Sequence, residues 1–126
     1  MSTRHDRLTA RAASFRNAFR GVSVLFRTQP NMRLHGAAAV SAAIAGGWLG
    51  LSRTEWLWVV AAIGAVWAAE AFNTALEFLA DAVSAEYHPR IGRAKDAAAA
   101  AVLFACAAAA VIGVMVFWPH VERQFF

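Results

Sequence analysis

At 126 residues the chain is short for two domains, and with 60% hydrophobic residues, 16% charged residues and a mean hydropathy of +0.46 it is too apolar for an ordinary water-soluble protein. A single domain in a bilayer, residues 1–126, is what this composition favours. The one cysteine, Cys106, lies in an alanine-rich run; it excludes an intramolecular disulfide and a Cys-x-x-Cys metal site, and is read as a small packing residue. The net charge of +4 comes with no nucleic-acid-binding motif, and the basic residues flank hydrophobic stretches, so anionic headgroups and phosphates suit it better than nucleic acid.

In chain order, Leu8, Ala12, Phe15, Phe19, Val22 and Phe26 recur at three- and four-residue intervals with arginines between them, which predicts an amphipathic surface helix over about 6–27. The many arginines and the lack of a continuous apolar core argue against a cleavable signal peptide in this stretch. From Leu34 to Ser52 no Asp, Glu, Lys or Arg occurs, long enough to cross a hydrocarbon core of roughly 30 Å. Gly46, Gly47 and Gly50 near the end of this span would permit close helix contacts. A second span is predicted over 56–80, apolar except for Glu70, Asn73, Thr74 and Glu77, and a third over 97–118, uncharged, with Trp118 before Pro119 as its interfacial stop. Trp48, Trp56, Trp58 and Trp118 cluster near span ends like an aromatic belt, while Trp67 falls inside.

Orientation follows from the basic residues of the short flanking segments. Arg4, Arg7, Arg11, Arg16, Arg20, Arg27 and Arg33 precede the first span; Arg53 alone lies in the first loop; Arg90, Arg93 and Lys95 lie in the second; Arg123 is in the tail. This alternation predicts a cytoplasmic N-terminus and second loop. His5 and His120, near the termini, are expected to be solvated. His35 reads either as an interface anchor or as a substrate contact, and Arg16 and Arg20 as headgroup anchors.

An ionisable group inside a span costs roughly 3 kcal/mol on insertion scales, so it ordinarily faces protein, water or ligand. Glu70 and Glu77 are two helical turns apart, and Asn73 and Asp81 share their face, forming a polar stripe toward the cytoplasmic end of the second span. Beyond it come Glu86-Tyr87-His88-Pro89-Arg90 as a charged loop, then Arg93, Lys95 and Asp96. Carboxylates that hold Mg²⁺ beside cations that meet phosphate are the parts of a phosphoryl-transfer site, although no Walker A loop or protein-kinase signature is present. The same stripe also suits an interhelical hydrogen-bond network, or the relay of a proton-coupled transporter. Spacing locates the site without naming the reaction.

Glu70-Ala-Phe-Asn-Thr-Ala-Leu-Glu77, then Asp81, His88-Pro89 and Ala94-Lys-Asp-Ala-Ala-Ala-Ala-Ala-Val102, resemble the signature of the prokaryotic diacylglycerol kinase family over nearly the whole chain, from Phe15 to Pro119. The resemblance implies an all-α membrane protein, a homotrimer of three-span protomers, each with a surface helix, that transfers the γ-phosphate of ATP to a membrane lipid alcohol with Mg²⁺. By matching position, it implies Glu70 as general base and Asn73 as the group that positions the reactants. It also implies Glu77 and Gln29 as metal ligands, and Asn17, Gln29, Glu77, Glu86, His88, Lys95 and Asp96 as nucleotide contacts. A carboxylate partly removed from water is a stronger base than a solvated one, which agrees with the deeper Glu70 as base. The family commonly has a second metal-binding glutamate where this chain has Gln29, and an aromatic or His where it has Asn17; an amide can ligate Mg²⁺ but brings no charge. Thr28-Gln-Pro-Asn-Met-Arg-Leu-His35 and Tyr87-His-Pro-Arg resemble the undecaprenol kinase branch, Ser84-Ala-Glu-Tyr-His88 and Gly92-Arg-Ala-Lys-Asp96 the diacylglycerol kinase branch. Undecaprenol is the expected substrate and diacylglycerol the alternative; a transporter subunit and a catalytically silent scaffold are the readings from other classes.

Overall fold

A computed structural model describes residues 4–83, 86 and 88–125, with side chains from residue 9 onward. Four α-helices follow one another: α1 (Arg4–Thr28), α2 (Pro30–Leu49), α3 (Arg53–Val83) and α4 (Pro89–Phe125), with no strand among the described residues. The all-α expectation holds. The chain divides into two compact units, residues 1–30 and 31–126.

The first unit is α1. Its end is closed by the Gln29 N–H donating to the Leu25 carbonyl at 2.9 Å, and the Thr28 hydroxyl donates back to the Val24 carbonyl at 2.9 Å. Phe15 and Phe19 are exposed. The side chain of His5 lies outside the described residues.

The second unit begins with α2, and the turn that ends α2 is the most specified part of it. Gly50 adopts φ +70°, the left-handed conformation that L side chains disfavour, and the Leu51 N–H bonds the Gly46 carbonyl at 3.1 Å. That is the six-to-one bond of a Schellman motif, with glycine at the residue after the cap. Ser52 then opens α3: its N–H donates to Glu55 Oε2 at 2.7 Å while the Glu55 N–H donates to its hydroxyl at 3.4 Å, a reciprocal capping box. Leu51 and Trp56, flanking this box, both lie against Gly46, so the helix entry is pinned by apolar contact as well. Of the three glycines expected to allow close approach, Gly46 does so; Gly50 serves the turn, and a Cβ at Gly47 would meet nothing.

Around this turn sits the core, built on Leu51, Val59 and Val116 with Trp56, Ile63, Ile112 and Phe117 packed on them. Two further contacts tie the end of α4 to the same region: His120 Nε2 and Glu55 Oε1 are 2.8 Å apart, and the Trp48 and Phe125 rings lie 6.3 Å apart at 54°. His120, expected to be solvated, is therefore a buried-side partner of Glu55, its side chain only 13% exposed. As a helix, α4 runs past Trp118, where the third span was expected to end, through Pro119 to Phe125. Proline forfeits one backbone bond, but the contacts of His120 and Phe125 hold the last turns, and Arg123 Nε donates to the Pro119 carbonyl at 3.0 Å.

At the opposite end α4 starts at Pro89, so Arg90, Arg93, Lys95 and Asp96 are helical rather than part of a loop. His88 caps this helix: its Nδ1 accepts the Arg90 N–H at 3.2 Å, and proline at the first helical position has no N–H to leave orphaned. Tyr87, with Ser84 and Ala85, lies outside the described residues.

α3 and α4 are both long and apolar enough to cross a membrane. Large side chains such as Leu57, Val60, Leu103, Phe104, Val111 and Met115 are exposed along them, which water would penalise and lipid would not. Trp48, Trp58 and Trp118 are also exposed at the turn end of the unit.

Two outcomes test this description. A Cβ at Gly46 would lie 2.9 Å from Trp56 Cη2, so Gly46→Ala should cost about 1–3 kcal/mol of stability while Gly47→Ala costs little, read by thermal unfolding in detergent. The hydrogen bonds from Ser52 and His120 hold the Glu55 carboxyl down from 4.5 to about 2. A value lowered by folding gives stability that is complete above about pH 4.5 and drains as pH falls toward 2, so Glu55→Gln should flatten the acid limb of the unfolding curve; equal acid sensitivity in both proteins would refute the assignment.

Candidate functional site

Glu70, Asn73 and Thr74 occupy adjacent turns of one face of α3 and are buried, at 1%, 8% and 1% exposure. They are the buried polar residues of a chain whose remaining buried side chains are apolar, among those described. Glu77 is half-buried and Asp81 exposed, so the stripe expected from spacing is present and rises out of the protein toward the end of α3. Asn73 Nδ2 donates to Glu77 Oε1 at 3.3 Å, fixing the amide one turn from that carboxylate.

The register of the α3–α4 hairpin follows from its two ends. Lys95 Nζ lies 3.1 Å from Asp81 Oδ1 at one, and His120 bonds Glu55 at the other. Counting along both helices at 1.5 Å per residue brings Glu77 level with Ala98 or Ala99 and Glu70 level with Ala105 or Cys106. The same count from Gly46 beside Trp56 brings Met32 of α2 level with Glu70. Both Ala98 and Met32 are buried. The alanine run of α4 therefore stands opposite the polar face, where bulkier side chains would fill the space around the carboxylate.

Four oxygen atoms would be expected to find partners at such burial. Glu70 Oε2, Asn73 Oδ1 and Thr74 Oγ1 find none among the described residues. A buried, unsatisfied polar atom costs about 1–3 kcal/mol, so three on one face leave hydrogen-bonding capacity that the described residues do not use. Below them, on the side of the core, a cavity of about 310 Å³ opens between α2, α3 and α4. Its walls are apolar; half-buried His35 and Trp67 stand at the end nearer Glu70, and Val59 and Phe117 at the far end.

The other residues singled out by sequence fall as follows. Lys95 is half-buried and held by Asp81, an exposed carboxylate and hence a weak partner that can be exchanged for phosphate. Asp96, Glu86 and His88 are exposed near the same end, and His88 is engaged through Nδ1 as a helix cap. Asn17 is exposed and Gln29 half-buried; both belong to the first unit, and Gln29 Nε2 lies 3.5 Å from Thr28 Oγ1. No group of three or more His, Cys, Asp or Glu side chains converges among the described residues, so any metal here must take ligands from elsewhere as well. Thr74 was missed by sequence reasoning beyond being named as polar; its signal is its place between Asn73 and Glu77 on the buried face.

Two helices long and apolar enough to cross a membrane, with lipid-compatible surfaces, a buried polar face on α3 and an apolar cavity among α2, α3 and α4, define an all-helical protein of membrane type. Residues 16–117 match the family described as Prokaryotic diacylglycerol kinase. The chain is 38% identical over 106 residues to the undecaprenol kinase of Bacillus subtilis (strain 168), covering 84% of this chain and 86% of that one. It is 28% identical over 103 residues to the diacylglycerol kinase of Escherichia coli (strain K12), covering 82% and 84%. A diacylglycerol kinase of Synechocystis sp. (strain ATCC 27184 / PCC 6803 / Kazusa) is 40% identical over 101 residues, covering 79% of this chain and 58% of that protein. The chain belongs to the prokaryotic diacylglycerol kinase family, a family of lipid kinases.

The exposed Asp81–Lys95 pair should contribute less than about 1 kcal/mol, so Asp81→Asn leaves thermal stability nearly unchanged. A large loss on that substitution would show that the pair, rather than packing, sets the hairpin register.

Proposed function

We propose that the chain is an ATP- and Mg²⁺-dependent kinase of undecaprenol, acting in the inner membrane as a homotrimer. The observation that carries this reading is the buried Glu70 carboxylate with an unpartnered oxygen, one turn along α3 from Val66 and Trp67, which line an apolar cavity. A lipid alcohol supplies what that arrangement lacks: its hydroxyl is a hydrogen-bond donor for Glu70, and its hydrocarbon belongs among Val59, Val66 and Ile112. The match to an undecaprenol kinase over 86% of that protein supports the polyprenol, and the 40% identity to a diacylglycerol kinase, over 58% of that protein, keeps diacylglycerol as the second substrate reading.

Glu70 takes the proton of the acceptor hydroxyl as the hydroxyl oxygen attacks the γ-phosphorus of ATP, the bond from that phosphorus to the β–γ bridging oxygen breaks, and ADP leaves. Asn73, bonded to Glu77, keeps its amide oxygen turned to the same space and orders the reacting groups. Glu77 stands nearer the aqueous end, where a hydrated cation arrives. Mg²⁺ is ordinarily held by one or two carboxylates together with substrate phosphates, and Glu77 is the carboxylate that would hold it in this reading; the family resemblance adds the amide of Gln29 as a ligand. When bound, the ion would neutralise charge on the phosphates. Lys95, Asp96, Glu86, His88 and Asn17 contact the nucleotide in this reading, Lys95 by leaving Asp81.

The surface helix 6–27 and three spans, with α2 as the first, complete the proposal. The alternation of arginines about the spans supports a cytoplasmic N-terminus, placing the Glu77 end where ATP is available. The exposed apolar faces of α3 and α4 leave room for neighbouring copies as well as lipid.

Radiolabelled phosphate transfer in vesicles containing undecaprenol or diacylglycerol decides the substrate: undecaprenol should be preferred, and inertness toward both would remove the kinase reading. Glu70→Gln should lower kcat at least about 100-fold with little change in the KM for ATP, since general base catalysis contributes about 10²–10⁴-fold. Glu77→Gln should chiefly raise the Mg²⁺ concentration needed for half-maximal rate. Equal behaviour of the two variants would break this division of roles.

A further inference from the structure

A hydroxyl side chain in a helix usually turns back to the carbonyl four residues earlier, and α1 shows the habit: Thr28 bonds Val24, and Ser14 bonds Ala10 at 3.0 Å. Thr74 departs from it. The residue is 1% exposed, yet Oγ1 has no partner among the described residues, the Glu70 carbonyl included. Valine has the same shape and no hydroxyl to desolvate, so packing alone gives no reason for threonine here.

Glu70, four residues earlier on the same face, carries a second orphan, Oε2. Side chains at this spacing have Cβ atoms about 5–6 Å apart. The two oxygens do not bond each other, so one missing group can serve both. A carboxylate oxygen accepts and a threonine hydroxyl can donate, which requires that group to be donor and acceptor at once. An alcohol hydroxyl qualifies: bonded at about 2.7–2.8 Å to each side chain, its one oxygen bridges a gap of about 4–5 Å. Asn73 Nδ2 is already given to Glu77, which leaves Thr74 as the donor among the buried residues of this face. The count that levels Glu70 with Ala105 or Cys106 levels Thr74 with Ala101 or Val102, neither of which has a polar side chain to engage the hydroxyl.

Position along α3 identifies the alcohol as the substrate's. Val66 and Trp67 on the cavity wall, then Glu70, Thr74 and Glu77, follow in that order over about 16 Å of helix. With hydrocarbon on one side of Glu70 and metal-bound phosphates at Glu77, the attacking oxygen belongs between the two carboxylates, where Thr74 is.

We propose that Thr74 is a catalytic residue of the phosphoryl transfer, its hydroxyl donating to the oxygen of the bound acceptor alcohol while the alcohol's hydrogen is held by Glu70. This rests on the reading of Glu70 as base. The alcohol oxygen gives one lone pair to Thr74 and the other to the γ-phosphorus. Its proton passes to Glu70 Oε2, the new oxygen–phosphorus bond forms, the bond to the β–γ bridging oxygen breaks, and ADP leaves. Thr74 keeps its own proton, and its bond to the attacking oxygen tightens as that oxygen loses hydrogen.

The test is phosphate transfer in vesicles, with undecaprenol and ATP varied separately, beside thermal unfolding in detergent. Thr74→Val should lower kcat/KM for undecaprenol about tenfold or more with the KM for ATP unchanged, the scale of one hydrogen bond to an oxygen gaining charge. Thr74→Ser, which keeps the hydroxyl, should recover most of that loss. Without substrate, Thr74→Val should unfold no lower than wild type, because exchanging an unpaired buried hydroxyl for a methyl is neutral or stabilising. Lost activity joined to undiminished stability separates a substrate contact from a structural hydroxyl. Wild-type kcat/KM in Thr74→Val, or a Thr74→Ser as slow as Thr74→Val, would overturn the proposal. So would a KM for ATP that rises as far as acceptor efficiency falls, which assigns the hydroxyl to phosphate. A Thr74→Val that unfolds clearly below wild type, or does not fold, also overturns it, by showing a hydroxyl already paired in the resting protein, as to a bound water. If Glu70→Gln keeps full kcat, the base reading falls and takes this with it; if Glu70→Gln is slow and Thr74→Val is not, only this proposal falls.

Discussion

A carboxylate, an amide and a hydroxyl on one face of an apolar helix can be buried only if the helix opposite comes close without filling their space. The alanine run of α4 meets that requirement, because alanine lets backbones approach and leaves the polar groups their room. That accommodation works only at one register. Shifting α4 by a turn would bring Lys95 level with Glu77 in one direction, or Val102 and Leu103 in the other, ending the match of small against polar. Fixing the register is thus the condition on which the site depends, and it is fixed chiefly by the packed end of the hairpin, where Glu55 meets His120 beside the apolar core, while the Asp81–Lys95 pair is in line with the same register.

The two ends are not equivalent. At the α2–α3 turn, a Schellman bond, a glycine with positive φ, a capping box and a histidine–carboxylate contact coincide with the apolar core, so many small contributions fall on the same few residues. At the other end there is one exposed ion pair and a helix capped by His88. Stability is concentrated away from the chemistry. Such a division leaves the polar end free to exchange partners, as Lys95 must if it is to leave Asp81 for phosphate under the kinase reading.

Helix order and the polar stripe were legible in the sequence because both rest on local rules. Charge-free runs mark the helices, and 70, 73, 77 and 81 return to one face whatever the packing. Glu55 with His120 was not legible: the partners are 65 residues apart and their meeting depends on hairpin register, so a histidine near the end of the chain reads as solvated. Pro119 inside α4 is the opposite case, a local rule overridden by tertiary contacts. The start of α4 was readable in principle, since His-Pro is a capping pair followed by the first-turn proline, but the charges beyond it looked like loop. Thr74 is polar in any reading; that its hydroxyl declines the bond its helix offers is visible only in three dimensions.

The chemistry of the orphaned atoms narrows what completes the site. Glu70 Oε2 and Asn73 Oδ1 are acceptors, so their missing partners must be hydrogen-bond donors or a cation. A structural network within the membrane would ordinarily pair acceptors with donors of the same protein, and a second copy of the chain offers few: α4 carries only Cys106 between Asp96 and His120 that could donate from a side chain, apart from Trp118 at the far end. An alcohol brings its hydroxyl hydrogen, and a metal–nucleotide complex brings positive charge. Under the kinase reading the burial of these acceptors makes the site selective, because the groups that enter must be those whose binding repays the desolvation already incurred.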